Sequence, residues 1–267
     1  MKEYKDEITL SKNGRGCYIL DTVKGCPMGV KENPRGCYGD CYAMNIASRY
    51  GFNFANENRR RIKEDKTQLY LFGINNLTHK TTIVKQIKNA DMPFVRIGEM
   101  GDPSHDWEHT IDVCEEIKDS GKAIVIVTKH WKTLTTAQCE RIKKLNVCVN
   151  TSISALDKTE EIEKRISEFF RLEFYCKSVL RIVTCYFNSD NEIGKQKNKV
   201  QEKLLSMFPN HIETVFRPSA INTLVTDGII KVEKVAFINK PVLVSMRSKD
   251  IYFGRCETCS DMCGIKI

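Results

Sequence analysis

Short apolar runs rich in β-branched residues alternate with amphipathic, helix-like segments over most of this 267-residue chain. Strands separated by helices in this rhythm indicate βαβ units, whose strands lie parallel in one sheet. The predicted strands are Tyr18–Val23, Phe94–Ile97, Ala123–Val127, Val147–Thr151, Val179–Val183 and Glu213–Phe216. The predicted helices are a long region from about Glu57 to Ala90, then Thr110–Ile117, Thr136–Ile142, Thr159–Leu172 and Lys199–Met207. The pattern predicts an α/β fold of six βα units, fewer than the eight of a closed barrel.

Half of the 12 cysteines fall into two tight groups. The first group, Cys26, Cys37 and Cys41, follows the first predicted strand in a stretch rich in Gly and Pro. Such a backbone can fold back on itself and bring several sulfurs to one point. The second group, Cys256, Cys259 and Cys263, comes last in the sequence. Clustered thiols in a chain without secretion signals more often bind metal than form disulfides, so each group is a candidate metal site.

Composition limits the remaining classes of protein. No apolar run approaches the roughly 18 residues of a membrane span, and the charged first residues do not resemble a signal peptide. We therefore expect a cytoplasmic protein with no membrane partner. The formal charge of +8 favours a polyanionic partner such as nucleic acid, but a generally basic soluble protein explains it equally well. The simplest division is one domain over residues 1–228 and a C-terminal cysteine-containing extension over residues 229–267.

Polar residues follow several of the predicted strands, at the strand ends where α/β proteins collect their ligands. They are Gly98 to His105 after the second strand, Thr128 to His130 after the third, Thr151, Ser152 and Ser154 at the fourth, and Arg217 to Ser219 after the sixth. With the first cysteine group, they predict one site along one edge of the sheet.

The order of these motifs resembles the radical S-adenosylmethionine (radical SAM) enzymes, in which a three-cysteine loop follows the first strand of a partial barrel. It is similar in particular to phage-associated radical-SAM-like proteins related to spore photoproduct lyase. The matching elements are Gly25-Cys26, Gly36-Cys37, Cys41-Tyr-Ala43, Gly101-Asp102, Thr128-Lys129-His130 and Ser152-Ile-Ser154. The resemblance covers about residues 17 to 220.

The resemblance implies a partial (βα)6 TIM-type barrel and a [4Fe-4S] cluster on Cys26, Cys37 and Cys41. S-adenosylmethionine (SAM) would bind the open iron, with Gly98, Glu99, Gly101 or Asp102 at its ammonium group. Tyr38 or Tyr42 would lie against the adenine, and Ser152 or Ser154 would bind the ribose. An electron donor such as flavodoxin or ferredoxin would start the reaction. The implied activity is reductive cleavage of SAM to a 5′-deoxyadenosyl radical, for chemistry on an unknown, nucleic-acid or nucleotide, substrate.

Two departures from the family pattern stand out. The usual loop is Cys-x3-Cys-x2-Cys, but Met44 occupies the position of its last cysteine, so this loop must use Cys26. In addition, Asp102 stands where the common Gly-Glu-Pro motif has Glu. A degenerate barrel that has lost SAM cleavage is therefore a second hypothesis.

The same cysteines also suit zinc. The first group could bind structural zinc with Cys17 as fourth ligand, because zinc normally takes four. Cys256, Cys259 and Cys263 could hold a second iron–sulfur cluster, zinc completed by Cys17, or a redox dithiol. A zinc- or cluster-stapled nucleic-acid-binding protein without catalysis is thus the competing function. Asp102 and Glu99 could equally cap the following helix, and Ser152 and Ser154 could be turn residues.

Overall fold

In the computed structural model, which describes residues 7–62, 79–238 and 240–266, the centre of the protein is a seven-stranded sheet. In the order in which they pair, its strands are β1 (Ser11–Lys12), β2 (Tyr18–Ile19), β5 (Phe94–Ile97), β6 (Ala123–Thr128), β7 (Val147–Ser154), β8 (Lys177–Thr184) and β10 (Ile212–Val215). Only the β1–β2 pair is antiparallel, and the other pairs in this sheet are parallel. The predicted mostly parallel α/β sheet is therefore confirmed.

The helices of the described ranges follow the predicted rhythm. They are α1 (Pro27–Glu32), α2 (Tyr42–Tyr50), α3 (His79–Lys88), α4 (Trp107–Ile117), α5 (Thr136–Ile142), α6 (Thr159–Leu172), α7 (Glu192–Met207) and α8 (Thr223–Thr226). Short strands complete the chain as three two-stranded pairs: β3 (Val23–Lys24) with β4 (Asn58–Arg59), β9 (Tyr186–Phe187) with β11 (Ile230–Lys231), and β12 (Glu233–Phe237) with β13 (Lys240–Val244). No helix among the described residues is long and apolar enough to cross a membrane.

Two predicted elements were wrong in part. The single strand Tyr18–Val23 is two strands, because the chain turns out of the sheet after β2 and β3 pairs with β4. The long helical region from Glu57 to Ala90 begins instead with strand β4, and its last part is α3. The part at residues 63–78 lies outside the described residues.

The two faces of the sheet have different coverings. Alternate side chains such as Val95, Ile124 and Val149 pack against the apolar sides of α3, α4 and α5. The opposite face presents Phe94, Val125, Cys148, Val179 and Ile212, and the C-terminal segment packs on it through Cys256 and Cys263. The C-terminal extension therefore shares a hydrophobic cluster with the sheet. We call this side, away from the helices, the inner face.

A buried ion pair lies at the carboxyl ends of the strands. Arg165 of α6 is fully buried, and its Nη1 lies 2.9 Å from Oδ1 of the buried Asp157. Lys129 forms a second ion pair with the same carboxylate oxygen at 2.7 Å. The Arg165 guanidinium also lies 4.9 Å from the centre of the Trp131 ring. Removing one partner of such a group is costly because a buried charge stays behind.

We expect Arg165→Met to lower the free energy of unfolding by about 3 kcal/mol, near the lower end of the range for broken buried pairs because Lys129 still faces Asp157. Arg141→Met is the matched control, since Arg141 forms ion pairs with Asp112 and Glu115 on the surface of α4. Exposed pairs are worth about 1 kcal/mol or less. Urea unfolding followed by circular dichroism measures both, and equal losses would contradict the assignment.

Candidate functional site

The first cysteine group lies on a loop between β3 and α2. Cys26 immediately precedes α1, Cys37 begins a 3-10 turn over Cys37–Gly39, and Cys41 immediately precedes α2. Two of the three thiols therefore stand at the N-terminal ends of helices, where free backbone N–H groups and the helix dipole favour negative charge. This local structure suits cysteines that become thiolates.

Gly29 leaves the space that brings two of these thiols together. A Cβ at this position would lie 2.9 Å from Sγ of Cys26 and 3.3 Å from Sγ of Cys37. Both sulfurs therefore flank the same point, and any side chain would push between them. Cys41 is close enough to both other thiols to affect their pKa values. The structure thus places Cys26 and Cys37 on either side of one point, with Cys41 near enough for its charge to act on both thiols.

An apolar wall surrounds these thiols. Cys26 packs in one cluster with Ala43, Ala47, Phe54 and Trp131, and the other two thiols pack against that cluster. Met44, which occupies the position of the family's last cysteine, packs there too. Such a wall excludes water from whatever the sulfurs bind.

Burial raises the pKa of each of the three thiols, that of Cys37 to about 11. The positive charge of Lys129 acts in the opposite direction on Cys37 and Cys41. The ring Nε2 of His105 lies 3.4 Å from Sγ of Cys26, and burial lowers the pKa of this histidine. As free thiols the three groups are therefore protonated near neutral pH, and binding a metal would release their protons.

The cysteine loop is attached to the turn that follows β5. Gly25 forms a parallel bridge with Gly101, and its N–H donates to the carbonyl of Met100 at 2.9 Å. A Cβ on Gly101 would lie 2.5 Å from the carbonyl oxygen of Val23, so only glycine permits this approach. The two motifs that the sequence singled out, the cysteine loop and the turn from Gly98 to Pro103, are in direct contact.

Asp102 holds the ends of β5 and β6 together. Its carboxylate accepts hydrogen bonds from Ser104 N (2.9 Å), Ser104 Oγ (2.7 Å), Thr128 Oγ1 (2.7 Å) and Lys129 N (2.8 Å). Two roles were considered for Asp102, binding SAM and capping the following helix. In the structure Asp102 is the cap, and both of its carboxylate oxygens accept hydrogen bonds from neighbouring groups.

Glu99 and Tyr42 lie beside this turn. The Glu99 carboxylate forms an ion pair with Arg96 and accepts from Asn13 Nδ2 at 3.2 Å. The Tyr42 hydroxyl donates to the carbonyl of Glu99 at 2.9 Å, and its side chain is partly exposed. The N–H groups of Gly98, Glu99 and Met100 all donate to the buried carboxylate of Asp21. The turn is thereby fixed in one conformation.

The remaining predicted cofactor residues have different surroundings. Tyr38 donates through its hydroxyl to Asp157 at 2.9 Å and lies under the Lys129 ammonium, 4.1 Å from ring centre to nitrogen. Ser154 donates to the carbonyl of Val183 at 2.7 Å and accepts from the Leu156 N–H, so it acts as a turn residue. Ser152 is buried on β7. It does not make the hydrogen bonds to Val183 and Leu156 that occupy the Ser154 hydroxyl.

The second cysteine group lies at the opposite ends of the strands. Cys256 and Cys263 pack on the inner face against Phe94, Cys148 and Ile212, at or near the first residues of their strands. Cys17, just before β2, is fully buried in the same cluster, and Cys259 lines a cavity together with Cys256 and Cys263. The structure therefore groups Cys17 with the C-terminal cysteines and not with Cys26.

The thiols of this group interact with one another and with nearby arginines. A hydrogen bond from the Cys17 thiol lowers the pKa of Cys256 to about 6 and raises that of Cys17, and Arg15, Arg96 and Arg181 add to the lowering. The surroundings of Cys256 therefore favour its thiolate form. Cys263 has a left-handed backbone (φ 55°), which is costly for a side-chain-bearing residue and common at functional sites.

In the described part of the chain, no three or more His, Cys, Asp or Glu side chains surround a common point as they would around a single metal ion. The sulfurs of Cys26 and Cys37 flank one point, but in the described residues neither cysteine group closes around one small ion. Their donor chemistry, thiolate sulfur alone, is that of zinc and iron–sulfur sites.

Sequence reasoning missed the residues that support these groups. Asp21, Asp157 and Arg96 reach the site through contacts between different strands. The sequence offered one signal for these residues: the carboxylate of Asp21 lies within a strand predicted to be apolar. Comparisons with models of known families, with curated proteins and with solved structures find no match.

We expect Gly29→Ala to lower the metal bound by the first group, because the new Cβ would lie between two sulfurs. Alanine is a better helix former than glycine, so weakening of α1 would not explain the loss. Gly14→Ala is the control, because nothing lies within 4 Å of a Cβ there. Iron, sulfide and zinc are measured after anaerobic reconstitution, and a Gly29→Ala protein with normal metal content would contradict this geometry.

We also expect Cys17→Ser to reduce the second group's metal as much as Cys256→Ser does, leaving the spectrum of the first group unchanged. Cys185→Ser is the matched control, since that buried thiol belongs to a different cluster. Metal analysis and absorption spectra of the three variants provide the measurement. Loss of metal from both groups in Cys17→Ser would show a single shared centre instead.

Proposed function

We propose that this protein is an iron–sulfur enzyme that reductively cleaves SAM to a 5′-deoxyadenosyl radical. The observation that carries the proposal is the convergence of Cys26, Cys37 and Cys41 beside the turn from Gly98 to Pro103. The thiols and the turn lie at the carboxyl ends of parallel strands, where α/β proteins bind their ligands.

The strand order supports a partial (βα)6 TIM-type barrel as the finer description of the fold. The parallel strands follow one another in chain order from β2 to β10, and α3 to α6 pack on the face opposite the C-terminal segment. Helices on one face and a cavity on the other are the arrangement of barrels, because successive right-handed crossovers place every helix on the same side.

The first cysteine group fits a cluster with an open iron. Cys26, Cys37 and Cys41 would hold a [4Fe-4S] cluster, which supplies an open coordination site for SAM and the electron that cleaves it. With three cysteines as its protein ligands, such a cluster would leave one iron free for SAM. Lys129 and the helix ends beside Cys26 and Cys41 offset the negative charge of the thiolates.

The chain's own residues would then position SAM. Asp102 and Asp21 fix the turn from Gly98 to Pro103, which would lie at the ammonium group of SAM. The Glu99 carboxylate and the Tyr42 ring are the nearest groups for charge and stacking. Ser152 is the better candidate for a ribose contact, because the Ser154 hydroxyl is already bonded on both sides.

The second group, with Cys17 as fourth thiol, fits either an auxiliary iron–sulfur cluster or zinc. A flavodoxin- or ferredoxin-like donor would supply the electron, and the substrate would be a nucleic acid or nucleotide, in keeping with the basic charge. The cytoplasm supplies the reducing conditions that free thiols need.

Reduced, reconstituted protein given SAM should release methionine and 5′-deoxyadenosine even without its substrate. Cys37→Ala should abolish this release, because it removes a cluster ligand, whereas Cys259→Ala should preserve it. Chromatographic analysis of the products provides the measurement. If the wild-type protein is colourless, contains only zinc and makes no 5′-deoxyadenosine, the zinc-stapled binding protein replaces the enzyme. A brown protein that leaves SAM intact would be the degenerate barrel.

A further inference from the structure

A cavity of about 50 Å³ lies between the inner face of the sheet and the C-terminal segment. A single water needs roughly 10–15 Å³ of such space, so the cavity has room for a small polyatomic group. Four arginines line it, each from a different segment: Arg15, Arg96, Arg181 and Arg217. Such a concentration of positive charge in one cavity calls for a negative occupant.

Of these four arginines, only Arg96 has a carboxylate partner among the described residues. Glu213 is engaged by Arg247, at 2.9 and 3.0 Å, and Arg96 pairs with Glu99 outside the lining. Arg15 donates to the carbonyl of Gly254, and Arg181 donates to Asn150 and Thr214. Within the described residues, Arg15, Arg181 and Arg217 have no acidic partner, and Asp261 is the other lining carboxylate.

Several guanidinium groups also have unused donors. The Nε atoms of Arg96 and Arg181 are buried without a hydrogen-bond partner in the described structure. Burial lowers the pKa of Arg217, and the charges of Arg15 and Arg96 lower it further. Buried donors and crowded like charges both destabilise the protein unless an acceptor of opposite charge binds.

We infer that this cavity binds the phosphate group of a ligand through Arg181, Arg217 and their neighbours. The planar guanidinium fork matches two oxygens of a phosphate at once, and the cavity's size suits one such group. The phosphate site itself does not depend on the proposed function. Only the idea that the enzyme's substrate occupies this site rests on that function.

The thiols that line the cavity are the competing source of negative charge. Arg96 and Arg181 do interact with Cys256. Arg217, by contrast, is affected chiefly by the positive charges of Arg15 and Arg96 and by Tyr42. Arg217 has no acidic partner among the described residues, so its substitution separates the two explanations.

The experiment is calorimetric titration of metal-loaded protein with inorganic phosphate, without SAM or reductant. Arg217→Gln and Arg181→Gln should each weaken binding roughly tenfold to hundredfold, the loss expected for a charge-assisted hydrogen bond. Arg217→Lys keeps the positive charge but loses the planar guanidinium, so it should also weaken phosphate binding. This variant replaces Arg217→Gln in the experiment if the Gln variant fails to fold. Arg255→Gln is the control, an exposed arginine outside the cavity lining.

Wild-type protein that does not bind phosphate, or an Arg217→Gln protein that binds it normally, would overturn the inference. The inference would also fail if Arg217→Gln lost the metal of the second cysteine group while phosphate binding stayed unchanged. Arg217 would then act on the thiols instead of on phosphate. Because phosphate binding and SAM cleavage are measured separately, failure of one is distinguishable from failure of the other.

Discussion

The carboxylate of Asp102 links the strand ends on which the first cysteine group depends. It joins the turn after β5 to Thr128 and Lys129 at the end of β6. Gly101, the preceding residue, is thereby held against Gly25, which leads directly into Cys26. Lys129 is placed toward Tyr38 and Asp157 from the same point. Because one buried carboxylate satisfies donors from two strands, the cysteine loop rests on a rigid support.

Charge is distributed differently at the two ends of the strands. Near the first cysteine group, Lys129 and Arg165 are matched by Asp157 and Glu161, and the thiols lie against an apolar wall. Around the second group, arginines outnumber unpaired carboxylates, and the pKa of Cys256 is lowered to about 6. The first environment keeps free thiols protonated, whereas the second favours thiolate and other anions. The two cysteine groups therefore lie in chemically different surroundings on one sheet.

The fold was largely predictable, because strand and helix periodicity report local burial. Strand Phe94–Ile97 and helices Thr136–Ile142 and Thr159–Leu172 have the bounds that the sequence predicted. The strand Tyr18–Val23 failed because β3 leaves the sheet to pair with β4, a long-range pairing without a local signal. The role of Asp102 was open for a similar reason, since its partners Thr128 and Lys129 are distant in sequence.

The sequence by itself determined the mostly parallel α/β class and the two cysteine groups, because these depend on periodicity and on the spacing of cysteines along the chain. Tertiary structure decided that Cys17 joins the C-terminal cysteines, that Asp102 is a cap, and that four arginines share one cavity. Sheet pairing brings together residues whose separation along the chain carries no information about their separation in space.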